Sequence, residues 1–362
     1  MTSAWRSPSW YVQGPGLLDS ISDHIPTHLE RVAVVATSGR LTALGDVLSS
    51  SLGDRARGFL GFAGECSDEE ISRLEQEVGH LDVDALVAVG GGKTLDTAKA
   101  VGHRVDIDTI AVPTIAATDA PTAAAAIVYW PNGVFKRVEL YPRSPLSVLV
   151  DTDVVRAAPV RFLVSGMGDA IATWFEADAC EQSGATTVAG GSPTQAALAV
   201  ARRCYEVLTA EGPQAVADMS GTETTPSIEK VIEANTLLSG VGFESGGLAA
   251  AHSIHNGLTA IEATHSYYHG EKVAFATICQ LLMQDDADRA GEIARFNASV
   301  GLPTCLVDLG IDSYGEEELG RIAKKSCEEQ ESIHNMPFAV SPEMVIEAIE
   351  AADRLGRAIS GE

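Results

Sequence analysis

Short apolar, β-branched runs alternate with helix-spaced segments over the first 150 or so residues. Arg31 to Ala36, Gly58 to Ala63, Asp84 to Val89, Thr109 to Pro113 and Ser147 to Asp151 are the apolar runs, the pattern of strands covered on both faces of a parallel sheet. Between them, Leu41 to Ser51 and Ser67 to Val78 have helical spacing, and the second carries acid in its first turn, where the helix dipole favours it. Ile127 to Trp130 and Val134 to Leu140, joined by Pro131-Asn132-Gly133, read as a β-hairpin. The opening Ser7 to Gly16 reads as an extended arm and turn before a helix near Leu17 to Ile25. From about residue 161 the period is helical: Asp169 to Cys180, Thr194 to Leu208, Ser227 to Leu238, His269 to Met283, Gly291 to Val300, Gly315 to Cys327 and Pro342 to Leu355. The expected fold is an α/β parallel-sheet, dinucleotide-binding-like domain over residues 1–160, followed by an all-helical domain over 161–362, with the site in the cleft between them.

Composition narrows the class. The chain has 362 residues, 45% of them hydrophobic, enough for two substantial cores. No apolar run reaches the roughly 20 residues of a membrane helix, and Met1 to Arg6 lacks the apolar centre of a signal peptide, so a cytoplasmic location is expected. The six cysteines are scattered without a CxxC pair and read as packing thiols. Fifty acidic residues against 25 basic ones argue against nucleic-acid and anionic-membrane partners. Self-repulsion on that scale is relieved by concentrated salt, which predicts a halophilic protein.

Candidate chemistry falls in four stretches. Gly90-Gly91-Gly92-Lys93-Thr94 follows an apolar strand and opens a helix, so its backbone can approach a phosphate closely. It matches neither GxGxxG nor GxxxxGK[ST], and most glycine clusters are simple turns. Thr114-Ile115-Ala116-Ala117-Thr118-Asp119-Ala120-Pro121 is a loop of small residues ending in one carboxylate; a turn or N-cap is the commoner use of such an aspartate. Four of the nine histidines, His252, His255, His265 and His269, lie close together in sequence. Neutral imidazole suits a borderline metal, although a lone helical histidine is more often a core residue. His252 and His255 share a helix face and either could reach a metal. His269 starts a periodic run, where the positive helix end disfavours imidazolium. A further ligand could be Asp169, in the small-residue stretch Ser165 to Ala170, read as a turn that places the carboxylate at a helix N-terminus.

The blocks GGGKTLDTAKA (90–100), PTIAATDAPTAAAAIVY (113–129), GMGDAIATWFEA (166–177), AAAHSIHNGLT (249–259), HGEKVAFAT (269–277) and HNMPF (334–338) resemble the glycerol dehydrogenases of the metal-dependent, or iron-containing, alcohol dehydrogenase superfamily. The resemblance spans nearly the whole chain. It implies Zn²⁺ on Asp169, His252 and His269, with Thr173 standing where iron-binding members often have histidine. It further implies NAD, or NADP, held by Thr37, Gly91, Gly92, Lys93, Asp96, Thr114, Thr118 and Tyr129, and substrate contacts from Asp119 and the ligand set. Two family contact positions are Ala123 and Ala125 here. A homo-oligomer, an octamer by resemblance, is expected. The implied reaction is oxidation of glycerol, or another small vicinal diol, to the hydroxyketone.

Two rivals share this scaffold: sn-glycerol-1-phosphate dehydrogenase and a dehydroquinate-synthase-like lyase. Both act on anionic substrates and would want cationic side chains around the cleft, where the motif loops 114–125 and 249–270 contain none. One departure concerns the cofactor. Where NAD-preferring relatives end the first strand in aspartate, this strand ends Thr37-Ser38-Gly39-Arg40, which leaves room for a 2′-phosphate.

Overall fold

The computed structural model describes residues 2–361. Its strands are β1 Trp10–Gly14, β2 Val32–Thr37, β3 Ala56–Phe62, β4 Ala85–Gly90, β5 Asp108–Pro113, β6 Ala125–Tyr129, β7 Phe135–Leu140 and β8 Ser147–Asp151. Six of them form one parallel sheet in the order β1-β8-β5-β4-β2-β3, and β6 and β7 form a separate antiparallel ribbon. The central strands β2, β4, β5 and β8 are buried almost end to end, because helices cover both faces of the sheet. From β2 the chain crosses to β3 on one side and then to β4 on the other. A parallel sheet opens a crevice at the carboxyl ends of its strands at such a switch point. The N-terminal arm is itself strand β1, paired with β8.

After β8 the architecture is helical, as expected. Its main members are Val160–Ala170, Ala172–Ser183, Gln195–Asp218, Ala250–Leu258, His269–Met283, Ala287–Val300, Glu316–Ser326 and Pro342–Ser360. One further helical run, Pro226 to Gly246, contains a π-turn at Ala234–Leu238. No helix of the described residues is long and apolar enough to cross a membrane.

The stretch Ser165 to Asp169 corrects its sequence reading. It is not a turn opening a helix. Asp169 lies in the last turn of the Val160–Ala170 helix. The small residues are there for close approach: a Cβ on Gly166 would stand 2.0 Å from the Ala116 carbonyl, and one on Gly168 2.3 Å from the Gly270 carbonyl. Glycine thus lets this helix rest its backbone against the Asp119 loop on one side and the start of the His269–Met283 helix on the other. The Gln195–Asp218 helix also outruns its predicted end at Leu208, carrying Pro213 within it.

Gly168→Ala should therefore destabilise the protein by at least the 1–3 kcal/mol typical of overpacking. Gly45→Ala, in the Ser38–Leu52 helix with nothing within 4 Å of the added methyl, should stabilise it by up to about 1 kcal/mol. Urea unfolding of the two variants checks both signs.

Candidate active site

Three helices deliver one donor each to a common point. Asp169 ends Val160–Ala170, His252 sits in the first turn of Ala250–Leu258, and His269 begins His269–Met283. The Asp169 Oδ1 atom lies 3.0 Å from His269 Nε2 and 3.4 Å from His252 Nε2. The three ligand atoms all fall within 4.8 Å of one another. Asp169 is almost fully buried, and its Oδ1 has no partner of regular hydrogen-bond geometry. A buried carboxylate oxygen without a proper donor, facing two imidazole nitrogens, is the arrangement of a divalent cation site. One carboxylate and two imidazoles suit a borderline ion such as zinc.

The electrostatics agree. Burial opposes charge on Asp169, yet the His269 and His252 imidazoles hold its carboxyl well below the usual range. Burial likewise opposes a charged His252, while the Glu176 and Asp169 carboxylates raise it well above an ordinary histidine. The pocket is built to stabilise positive charge at this point, whether protons or an ion supply it.

Glu176 was not singled out from sequence. Its Oε2 lies 2.6 Å from His252 Nδ1, and its Oε1 accepts the backbone N–H groups of Ala249 and His252 at 2.9 and 3.0 Å. This pins the start of the Ala250–Leu258 helix. It also keeps the proton on Nδ1, leaving the Nε2 lone pair directed at the cluster. The available signal was a carboxylate seven residues after Asp169 inside an otherwise apolar helical segment.

His255 stays outside the cluster. Its ring packs edge-on 4.1 Å from that of His269, with Nδ1 3.0 Å from Asn256 Oδ1. Burial first, then the neighbouring His269 and Lys272, pushes it well below an ordinary histidine. His265, in the 3₁₀ turn Glu262–Ser266, contacts the Thr259 carbonyl at 3.0 Å. Thr173 bonds to Ser239 Oγ at 3.1 Å. Asp119 does reach the cluster: its N–H points at Asp169 Oδ2 at 3.4 Å, and its Oδ2 accepts from Ser239 Oγ at 3.2 Å. Burial and the Asp169 carboxylate push Asp119 well above the carboxylate range.

The glycine motif lies on the same side. Gly91 caps the helix Gly92–Val105 at the end of β4, and Thr114 N–H bonds the Gly90 carbonyl at 3.0 Å. A Cβ on Gly90 would meet Thr94 Oγ1 at 2.5 Å and one on Gly91 would meet Ile115 Cδ1 at 2.9 Å, whereas Gly92 has only ordinary contacts, the nearest Thr118 Oγ1 at 3.6 Å. The first two glycines admit these close neighbours without giving up their backbone N–H groups, and the third presents an open backbone beside Thr118. Lys93 Nζ pairs with Glu65 at 2.7 Å and stands 4.9 Å from the Tyr129 ring centre. Thr37, at the end of β2, caps the next helix by accepting the Arg40 N–H at 3.3 Å. Asp96 is committed elsewhere: its Oδ2 accepts Ile127 N–H at 2.9 Å and its Oδ1 pairs with Lys99 at 2.8 Å, which ties the β6–β7 ribbon to the Gly92–Val105 helix.

An open helix start at Gly92 on the parallel sheet, together with a buried carboxylate–imidazole cluster, fits an oxidoreductase acting on a CH–OH group, and similarity to known proteins supports that class. Residues 8–152 match the iron-containing alcohol dehydrogenase family. The chain is 47% identical over 352 residues to glycerol dehydrogenase of Thermotoga maritima, covering 97% of this chain and 96% of that one. It is 43% identical over 362 residues to glycolaldehyde reductase of Halobacterium salinarum, covering 99% of each. Among solved structures, a probable glycerol dehydrogenase from Sinorhizobium meliloti superposes with a TM-score of 0.92 at 40% identity, over 99% of this chain and 100% of that one. The chain belongs to the iron-containing alcohol dehydrogenase family.

Asp169→Asn, His252→Ala and His269→Ala should each lose the metal, and Glu176→Gln should weaken its binding by about 10- to 100-fold. His255→Ala and His265→Ala should retain it. Elemental analysis of the purified variants decides the assignment; stoichiometric metal in His269→Ala would refute it.

Proposed function

We propose that this chain is a zinc-dependent glycerol dehydrogenase, oxidising the secondary hydroxyl of glycerol to give dihydroxyacetone with hydride transfer to NAD(P). The observation that carries the reading is the convergence of three ligand atoms within 4.8 Å beside the loop that holds Asp119. Asp169, His252 and His269 would hold the ion. When bound, zinc supplies Lewis-acid polarisation of the reacting hydroxyl. Glu176 keeps His252 in the tautomer a ligand needs. Asp119 receives the neighbouring hydroxyl, which favours vicinal diols. Gly91, Gly92 and Lys93 at the helix N-terminus, with Thr114 and Thr118, hold the cofactor phosphates and so place the nicotinamide over the substrate carbon. Division near residue 160 would thus separate a cofactor-carrying part from a metal-carrying one.

Anionic substrates fit less well. Lys99 is bonded to the Ala120 and Ala123 carbonyls, Lys272 to those of Thr264 and Tyr267, and Arg161 to Glu271. These cations are already committed to the protein. A second reading, reduction of glycolaldehyde at the same site, draws on the full-length likeness to the Halobacterium salinarum reductase. It uses the same residues with the hydride moving the other way.

Purified protein should turn over glycerol with formation of reduced cofactor, and a chelator should abolish this until zinc is restored. Turnover that survives complete metal removal would overturn the proposal. A kcat/KM for glycolaldehyde reduction far above that for glycerol oxidation would favour the second reading.

The Ser38–Leu52 helix has no acid in its first turn, and Arg40 lies there. NADP⁺ should accordingly be used at least comparably to NAD⁺, and Arg40→Ala should lower kcat/KM for NADP⁺ selectively. A preference for NAD⁺ above about a hundredfold, roughly 2.7 kcal/mol, would show that another group excludes the 2′-phosphate.

The net charge of −25 supports salt adaptation. Melting temperature and activity should rise from low salt to molar KCl as repulsion is screened. A flat or falling response counts against it.

A further inference from the structure

The loop from Ala116 to Ala124 carries Asp119 and has no helix or strand of its own. Its position comes largely from the Pro226–Gly246 helical run, through the π-turn at Ala234–Leu238. Asn235 Nδ2 donates to the Ala116 carbonyl at 2.9 Å, and Thr122 Oγ1 donates to the Thr236 carbonyl at 3.1 Å. A Cβ on Gly240 would lie 1.8 Å from Thr122 Oγ1 and 2.8 Å from the Asp119 carbonyl, so only glycine lets the two backbones meet. A π-turn bonds residue i to i+5, so positions four apart fall nearly in line; such turns are frequent at functional sites. Here it brings Asn235, Thr236, Ser239 and Gly240 onto the loop together.

Ser239 is fully buried, and among the described residues it is the one side chain that donates to the Asp119 carboxylate, at 3.2 Å. A hydroxyl has a single proton to give. With that proton on Asp119, the Ser239 oxygen is left to accept from Thr173 Oγ1, 3.1 Å away and also buried. A chain of hydroxyls therefore ends on one oxygen of Asp119 and does not engage the other.

We infer that Ser239, supported by Thr173, is a positioning residue that aims Asp119 and thereby sets the preference for a substrate with a second, adjacent hydroxyl. This rests on the reading of Asp119 as the contact to that hydroxyl. Thr173 is then a specificity element lying between the metal helices and the substrate loop.

The test compares kcat and KM for glycerol and for 2-propanol in Ser239→Ala, Thr173→Val, Asp119→Ala and the Ser239→Ala/Asp119→Ala double variant, with zinc content and cofactor Kd measured alongside. Ser239→Ala should lower the preference for glycerol by up to about tenfold, the scale of one lost hydrogen bond, mainly through KM, with zinc and cofactor binding retained. Thr173→Val should move it less and in the same direction, which keeps the test alive if Ser239→Ala folds poorly. In the Asp119→Ala background the serine change should add nothing to the loss of preference. Equal losses for both alcohols, an unchanged preference in both hydroxyl variants, or an additive loss in the double variant would overturn the inference. An unchanged preference in Asp119→Ala would instead remove the substrate role of Asp119 on which it stands.

Discussion

A carboxylate inside a protein must be matched by positive charge, and the helical half of this chain is arranged around meeting that condition at Asp169. Leaving an ionised group buried and unpaired would cost several kcal/mol. Two imidazoles are brought to it on separate helices, and one of those is held by a second buried acid, Glu176. The glycines of the Val160–Ala170 helix follow from the same requirement, since without them neither Gly270 nor Ala116 could approach closely enough to close the pocket. Packing and chemistry are the same constraint here.

The sheet half was largely legible in the sequence. Its buried strands are apolar throughout, and β8 fell at its predicted limits because Ser147 to Asp151 is bounded by turn residues. The three donors were legible through the blocks that surround them, and His269 as a helix start was legible from periodicity alone. Asp169 was misplaced because small residues read as a turn, when they are the signature of a helix pressed against backbone. Glu176 and Ser239 were invisible for another reason. Nothing local marks a buried polar residue on an apolar helix as functional until its partner from a distant part of the chain is known. Asp96 shows the converse: it lies within a motif block, yet its carboxylate is spent on Ile127 and Lys99.

Acid is used in two distinct ways in this molecule. The surplus that gives the net charge of −25 lies largely on the outer faces of helices and in loops, and some of it pairs with arginine, as Asp68 does with Arg137 and Asp84 with Arg31. These exposed pairs contribute little individually. The buried acids, Glu70, Asp96, Asp151, Asp169, Glu176, Glu244, Glu271 and Asp353, are few and each has a defined partner or cluster. Surface charge therefore tunes solubility and salt response, while specificity of structure resides in the buried set.

The N-terminal arm imposes an order on assembly. Trp10 to Gly14 registers against Ser147 to Asp151, and its flank reaches further still, with the Arg6 N–H bonded to Ser245 Oγ and Tyr11 to Thr236. On a ribosome these residues emerge well before their partners, and the loop closed between them spans the rest of the sheet half. Its entropic cost grows only slowly with length, but its closure waits on synthesis of everything between. The arm is thus among the last segments to be seated, and it joins the edge of the sheet to the Pro226–Gly246 helical run that seats the Asp119 loop.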